Sequence, residues 1–230
     1  MKKFIRIAAV LALAALLVLA AGCSKEPDLT DYVSEYRSNI YIGTQDKYSI
    51  FVSCGTREYP YRADGTPADC SDLFEVALTA ADNTRTYKIS FALDGKTYEA
   101  ELSFDNVRMI HTYSQSIPAP DAEKIDFTVC DADDADAEKI SLTAQSVKAG
   151  QQVLSLGQLL DAVKKDNSKI FSTHTSGNKF SGELYVRLLW NDGACYYYVG
   201  VIDTDGKTFA ILADATTGKT LATHESEDKS

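Results

Sequence analysis

Between residues 48 and 144 the chain alternates apolar with polar or small residues, and a period of two restricts it to extended strands with one buried face. Tyr48, Ile50, Val52 and Cys54 open the series, and Phe74, Val76 and Leu78 follow. Then come Tyr87, Ile89, Phe91 and Leu93; Tyr98, Ala100, Leu102 and Phe104; and Val107, Met109, His111 and Tyr113. Ile125, Phe127 and Val129, and finally Ile140, Leu142 and Ala144, complete it. Asp94-Gly95 separates the third and fourth sets, and such a dipeptide supplies the left-handed backbone of a tight hairpin. Seven strands with turn residues between them predict an antiparallel, immunoglobulin-like β-sandwich over residues 32–146. The antibody-type cysteine–tryptophan–cysteine pattern is missing, because the single tryptophan is Trp190.

Near residues 145–155 the period changes. Val153, Leu156, Leu159, Leu160 and Val163 recur at helical spacing. Ser155 with Gln158 three residues later forms a capping box, and Lys164 and Lys165 suit the negative end of a helix over about 156–166. Three strands follow, 183–190, 194–202 and 207–213, with Asp-Gly turns at 192–193 and 205–206 and a last short strand after Gly218. Helix plus meander predicts a small α+β domain over 150–226. Each domain has its own apolar pattern and is expected to fold alone, with the polar segment around Gly150 between them. In 183–190, Leu184, Val186, Leu188 and Trp190 share a face suited to packing under the helix. Tyr185, Arg187, Tyr196 and Tyr198 then fall on the opposite face. That face either docks on the sandwich or is offered to a partner.

The residues Tyr196–Ile202, Phe209–Leu212 and Asp214-Ala215-Thr216-Thr217-Gly218-Lys219-Thr220-Leu221 resemble a PepSY domain, whose members commonly end a strand in an Asp-Ala-x-Thr-Gly turn and a closing Leu. The resemblance covers about a third of the chain. It implies an extracytoplasmic module that binds or restrains other proteins, as in propeptides of thermolysin-type peptidases, and it carries no catalytic residues.

The first 22 residues have the three parts of a signal peptide: Lys2, Lys3 and Arg6, then 15 apolar residues from Ile7 to Ala21, then a small-residue end. Fifteen residues rise about 22 Å as a helix, short of the roughly 30 Å hydrocarbon core. Leu19-Ala20-Ala21-Gly22-Cys23 resembles the bacterial lipobox, with alanine where leucine is usual three places before the cysteine. The resemblance implies acylation of Cys23, a tether over 23–31, and an extracytoplasmic protein lipid-anchored in the cell envelope. Three of the 23 basic residues and none of the 33 acidic ones lie in the leader, so the remainder carries about −13. Such a charge disfavours nucleic acid and anionic headgroups. The expected partners are the membrane, through lipid, and another envelope protein.

Cys54, Cys70, Cys130 and Cys195 remain. Export permits a disulfide, Cys54–Cys70 closing the loop between them; the alternative is free thiols, since Cys54 continues an apolar face. No CxxC or paired histidine spacing points to a metal, and no cofactor is expected. His111, His174 and His224 lie far apart, and His111 reads as a core histidine. Gly-x-Ser-x-Gly is absent, and Gly218-Lys219-Thr220 has Ala213 where a P-loop needs glycine. The acidic run 131–138 lacks the glycine and glutamate of an EF-hand. These readings point to a non-enzymatic binding or regulatory protein, with a hydrolase or accessory subunit acting on wall polymer as the alternative.

Overall fold

The computed structural model describes residues 26–134 and 136–226; the leader and Cys23 lie outside the described residues. The chain is mainly β. After a 3₁₀ turn over Leu29–Tyr32, β1 (Val33–Gln45) pairs with β2 (Tyr48–Glu58), and β2 pairs with β3 (Cys70–Thr79). The next strands are β4 (Tyr87–Leu93), β5 (Lys96–Glu101), β6 (Ser103–Asp105), β7 (Ile110–Gln115), β8 (Lys124–Asp131) and β9 (Ile140–Ser146). β7 lies between β3 and β6, whereas β4 lies between β5 and β8, and β9 joins β8 to β1.

An immunoglobulin-like sandwich keeps its two sheets apart at the edges, and here they meet at both. β9 closes one edge against β1 through Tyr41↔Ser146 and Ile42↔Gln145. At the other, Leu102 alone separates β5 from β6, so one extended stretch pairs first with β4 and then with β7. The result is a closed barrel whose strands, among the described residues, each have two strand partners, the β5–β6 stretch taken as one, which removes the usual template for edge-to-edge association. Most of the predicted interior is buried, although Phe104 is 41% exposed. Ile50, Val52, Phe74, Val76, Ile89, Phe91, Phe127, Val129 and Leu142 are buried in one cluster, with Phe91 packed 5.3 Å from Phe74 and 5.0 Å from Phe127. Val107 and Met109 depart from the expectation. They sit in the turn before β7, 88% and 53% exposed, because Asp105 accepts from the backbone amides of Val107 and Arg108 and ends the strand.

The C-terminal half contains α1 (Leu156–Asp166), α2 (Ser168–Thr173), the two-residue strands β10 (Thr175–Ser176) and β11 (Lys179–Phe180), and then β12 (Glu183–Asn191), β13 (Ala194–Ile202), β14 (Thr208–Asp214) and β15 (Thr220–Glu225). The capping box at Ser155 and Gln158 forms as the sequence predicts. Leu159, Leu160 and Val163 of α1 are buried against Leu184, Val186, Leu188, Val199 and Val201. Trp190, expected under the helix, is 43% exposed, because it stands at the hairpin end of β12. The Asp214–Leu221 stretch is a structural clasp. One Asp214 oxygen accepts from Thr216 N, Thr217 N and the Thr217 hydroxyl at 2.8–3.0 Å. Those bonds, the Thr217 hydroxyl foremost, hold the Asp214 carboxyl below its usual range. A Cβ on Gly218 would come within 2.4 Å of Ala162 on α1, so only glycine lets the helix seat there.

The two halves are not separate sheets. β12 pairs in parallel with β1 through Val33↔Leu184, Tyr36↔Val186 and Arg37↔Arg187, and one sheet runs through both. β1 serves two cores. Tyr41 packs inside the barrel, whereas Ile40, Ile42, Tyr36 and Val33 pack in the C-terminal cluster. A bulge lets it do so: Arg37 pairs with Gly55 but Asn39 with Cys54, leaving Ser38 without an opposite residue. Gly55 is required here, since a Cβ would lie 1.8 Å from the Tyr36 carbonyl oxygen.

The Cys54–Cys70 bridge does not form. Cys54 pairs with Phe74 and Cys70 with Glu58, four ladder positions apart, about 13 Å at the usual strand rise. Cys54, Cys70, Cys130 and Cys195 are all free, and burial pushes the Cys54 thiol up to about 12.

Candidate binding face

Alternation along β12 and β13 places Tyr185, Arg187 and Tyr198 on the face away from α1. The structure brings them together. Tyr185 lies opposite Gly200, and a Cβ there would strike its ring at 2.5 Å; the absent side chain lets the ring lie across β13. It stacks on Tyr198 at 5.3 Å, and the two hydroxyls are 3.0 Å apart. The Arg187 guanidinium sits 5.1 Å above the Tyr185 ring, a cation–π arrangement. Tyr196 follows on the same face, opposite Leu189.

The face does not stop at β12. Parallel pairing with β1 sets Glu35 and Arg37 beside Tyr185 and Arg187. Glu35, 1% exposed, accepts from Arg187 Nε at 2.6 Å and Arg37 Nε at 2.7 Å. Burial by itself pushes the Glu35 carboxyl up, but the two guanidiniums together outweigh it and hold the group below its ordinary range. Arg37 reaches on to the Ser53 hydroxyl at 3.2 Å and to the carboxylate of Glu75, and Arg57 lies 4.0 Å from Glu75. The chain Tyr198–Tyr185–Arg187–Glu35–Arg37–Glu75 thus runs over β13, β12 and β1 and passes Ser53 of β2 to reach β3 in the barrel wall. The face is partly covered: the Arg187 side chain remains 42% exposed, whereas Glu35 is 1% exposed.

An open groove of about 870 Å³ runs along this chain, lined among others by Arg37, Arg108, Arg187, Glu75, Phe51, Leu189, Trp190 and Tyr196. A second groove of about 480 Å³ shares Arg37, Phe51, Ser53, Glu75 and Arg108 and continues to Thr112 and Tyr113. Phe51 and Trp190 are each 43% exposed. Aromatic and arginine side chains are the types that dominate binding energy at protein interfaces. In a chain with a formal net charge of −10, this groove brings three arginines together with one carboxylate.

His111 is buried between Tyr87 at 4.8 Å and Phe104 at 4.9 Å, and neither ring nitrogen has a partner. Burial lowers its proton affinity, so it is a neutral core residue. In the acidic loop, Asp131 pairs with Arg85 at 2.9 Å and accepts from Asp133 N. No group of three histidine, cysteine, aspartate or glutamate side chains among the described residues is placed to hold a metal ion. Sequence reasoning missed Glu35, Arg37, Glu75 and Phe51. No local pattern marks them, because the bulge in β1 interrupts its alternation and the remaining partners come from other strands. No protein-family model and no curated protein matches the chain.

Proposed function

We propose that this is a lipid-anchored, non-enzymatic binding or regulatory module of a bacterial cell envelope, and that it captures a partner protein on the face spanning β1, β2, β12 and β13. The observation that carries this reading is the continuous aromatic–arginine face, preorganised by Glu35 and lying along an open groove. Preorganisation lowers the entropy cost of ordering an interface. The leader, the lipobox-like segment at Cys23 and the PepSY-like order of helix, meander and Asp-Ala-x-Thr-Gly turn support the location and the binding role, including the modulation of a peptidase. The C-terminal unit is read as PepSY-like within the same proposal.

Phe51 and Trp190 lie outside the Glu35 network, so Phe51→Ser with Trp190→Ser removes apolar groove surface without touching the ion pairs. Photocrosslinking on intact envelopes, followed by pull-down of the tagged protein, is expected to recover a discrete partner with the wild type. The double variant is expected to lose at least tenfold of that yield at unchanged melting temperature. Equal recovery from both proteins contradicts the reading, as does turnover of peptide or wall-polymer substrates by the purified chain.

A further inference from the structure

Between β2 and β3 the segment 59–69 leaves the barrel and lies across the C-terminal unit. Gly65 is buried there, and a Cβ on it would stand 2.5 Å from the backbone of Asp203. Beneath this strap are two carboxylates that the binding face does not use. Glu183, the first residue of β12, is 0% exposed and neither oxygen has a hydrogen-bond partner. Glu58, the last residue of β2, is 4% exposed, and its Oε2 is also without a partner.

Every strongly coupled neighbour of Glu183 is acidic or neutral. Burial disfavours its charge most, Glu58 at the end of β2 and Asp64 of the strap add to that, and the nearby Ser34 hydroxyl and Gly65 amide act the other way. Glu58 in turn faces Asp64, with Arg62 and the Ala68 amide as weak compensation. Tyr61 sits among Glu183, Glu35, Arg187 and Glu58. Arg187 is committed to Glu35, and Cys70 and Asp69 at the far end of the strap add no cation. Two buried carboxylates without a cation between them cannot both be ionised at low cost.

We propose that segment 59–69 is an acid-closed strap: protonated Glu183 lets it seat across the β1–β12 junction, and ionisation of Glu183 beside Glu58 and Asp64 drives it off, uncovering the Glu35–Tyr185–Arg187 end of the sheet. Burial pushes the Glu183 carboxyl up to about 7, from 4.5 when free. The closed form therefore binds the proton more tightly than the open one. Closure is fully favoured below about 4.5, weakens as pH rises, and has lost this contribution above about 7. The strap stands as a device whether or not the face binds a partner, and its test needs no ligand.

Hydrogen–deuterium exchange of the full chain at pH 5.5 and 8.0, corrected for intrinsic rates, reads the strap directly. Peptides covering 59–69 are expected to lose at least tenfold protection at pH 8.0 in the wild type. In Glu183→Gln, which keeps shape but has no charge, protection at pH 8.0 is expected to match that at pH 5.5. Glu58→Gln is expected to lessen the loss of protection at pH 8.0, because removing the like charge brings the proton affinity of Glu183 in the closed form nearer its value in the open form. Equal protection of the wild type at both pH values overturns the proposal. So does a Glu183→Gln variant that keeps the wild-type pH dependence.

Discussion

The barrel and the helix–meander unit bury apolar faces of similar kind, yet they differ in how they finish their edges. The barrel returns β9 to β1 and shares one stretch between β4 and β7, so its strands satisfy one another. The C-terminal unit has no such closure. It borrows β1 for one edge of its sheet and takes Leu29, Tyr32, Val33, Tyr36, Ile40 and Ile42 into its core. At roughly 1–2 kcal/mol for each, depending on burial, these side chains contribute on the order of 8 kcal/mol, comparable with the whole stability of a small domain. A unit can thus have a complete apolar pattern in its own sequence and still depend on a strand 150 residues earlier.

The most drastic way to break this comparison is to cut the chain. Fragment 150–230, expected from sequence to fold alone, should lack dispersed amide resonances and a cooperative melt. Adding a peptide of residues 26–46 should restore both. A cooperative fold in 150–230 alone would show that the borrowed strand is dispensable. Next in size is Gly55, which holds the bulge at which β1 changes core. Gly55→Ala should cost about 3 kcal/mol or more in urea unfolding, since the new methyl meets the Tyr36 carbonyl. Gly95→Ala, with open space around it but a left-handed turn conformation, should cost about 1 kcal/mol.

A smaller effect sharpens the electrostatics where the halves meet. Glu35→Gln leaves Arg37 and Arg187 without their shared carboxylate and should cost about 2 kcal/mol at pH 7, with half-exposed Arg187 moderating the loss. Because Glu35 is held below its free value of 4.5, its stabilising contribution is present above that pH and lost as pH falls through the lower folded value. Thermal melts of the wild type should therefore lose a component below about pH 4.5 that Glu35→Gln lacks. Glu183 acts with the opposite sign, so the Gln variants at 35 and 183 separate the two.

The barrel strands other than β1 were legible in sequence where a single buried face gives a clean period of two. Helix α1 was legible to the residue because Ser155 and Gln158 form a local cap that needs no tertiary partner. β1 was not legible. Val33-Ser34-Glu35-Tyr36-Arg37-Ser38-Asn39-Ile40-Tyr41-Ile42 feeds two cores and contains a bulge, so alternation is lost in the longest strand of the molecule. The same contrast runs through the candidate face. Tyr185, Arg187 and Tyr198 could be placed together from two adjacent strands, whereas Glu35 joins them only through a parallel pairing, and no local signal encodes that.

Native-state hydrogen exchange across the β1–β12 pair tests most directly whether the two halves are one sheet. The account predicts that amides of residues 35–37 and 184–187 open with one free energy and shift together as denaturant is raised. Ready exchange of 184–187 while β1 and β2 stay protected would contradict it, and would return the molecule to two independent domains.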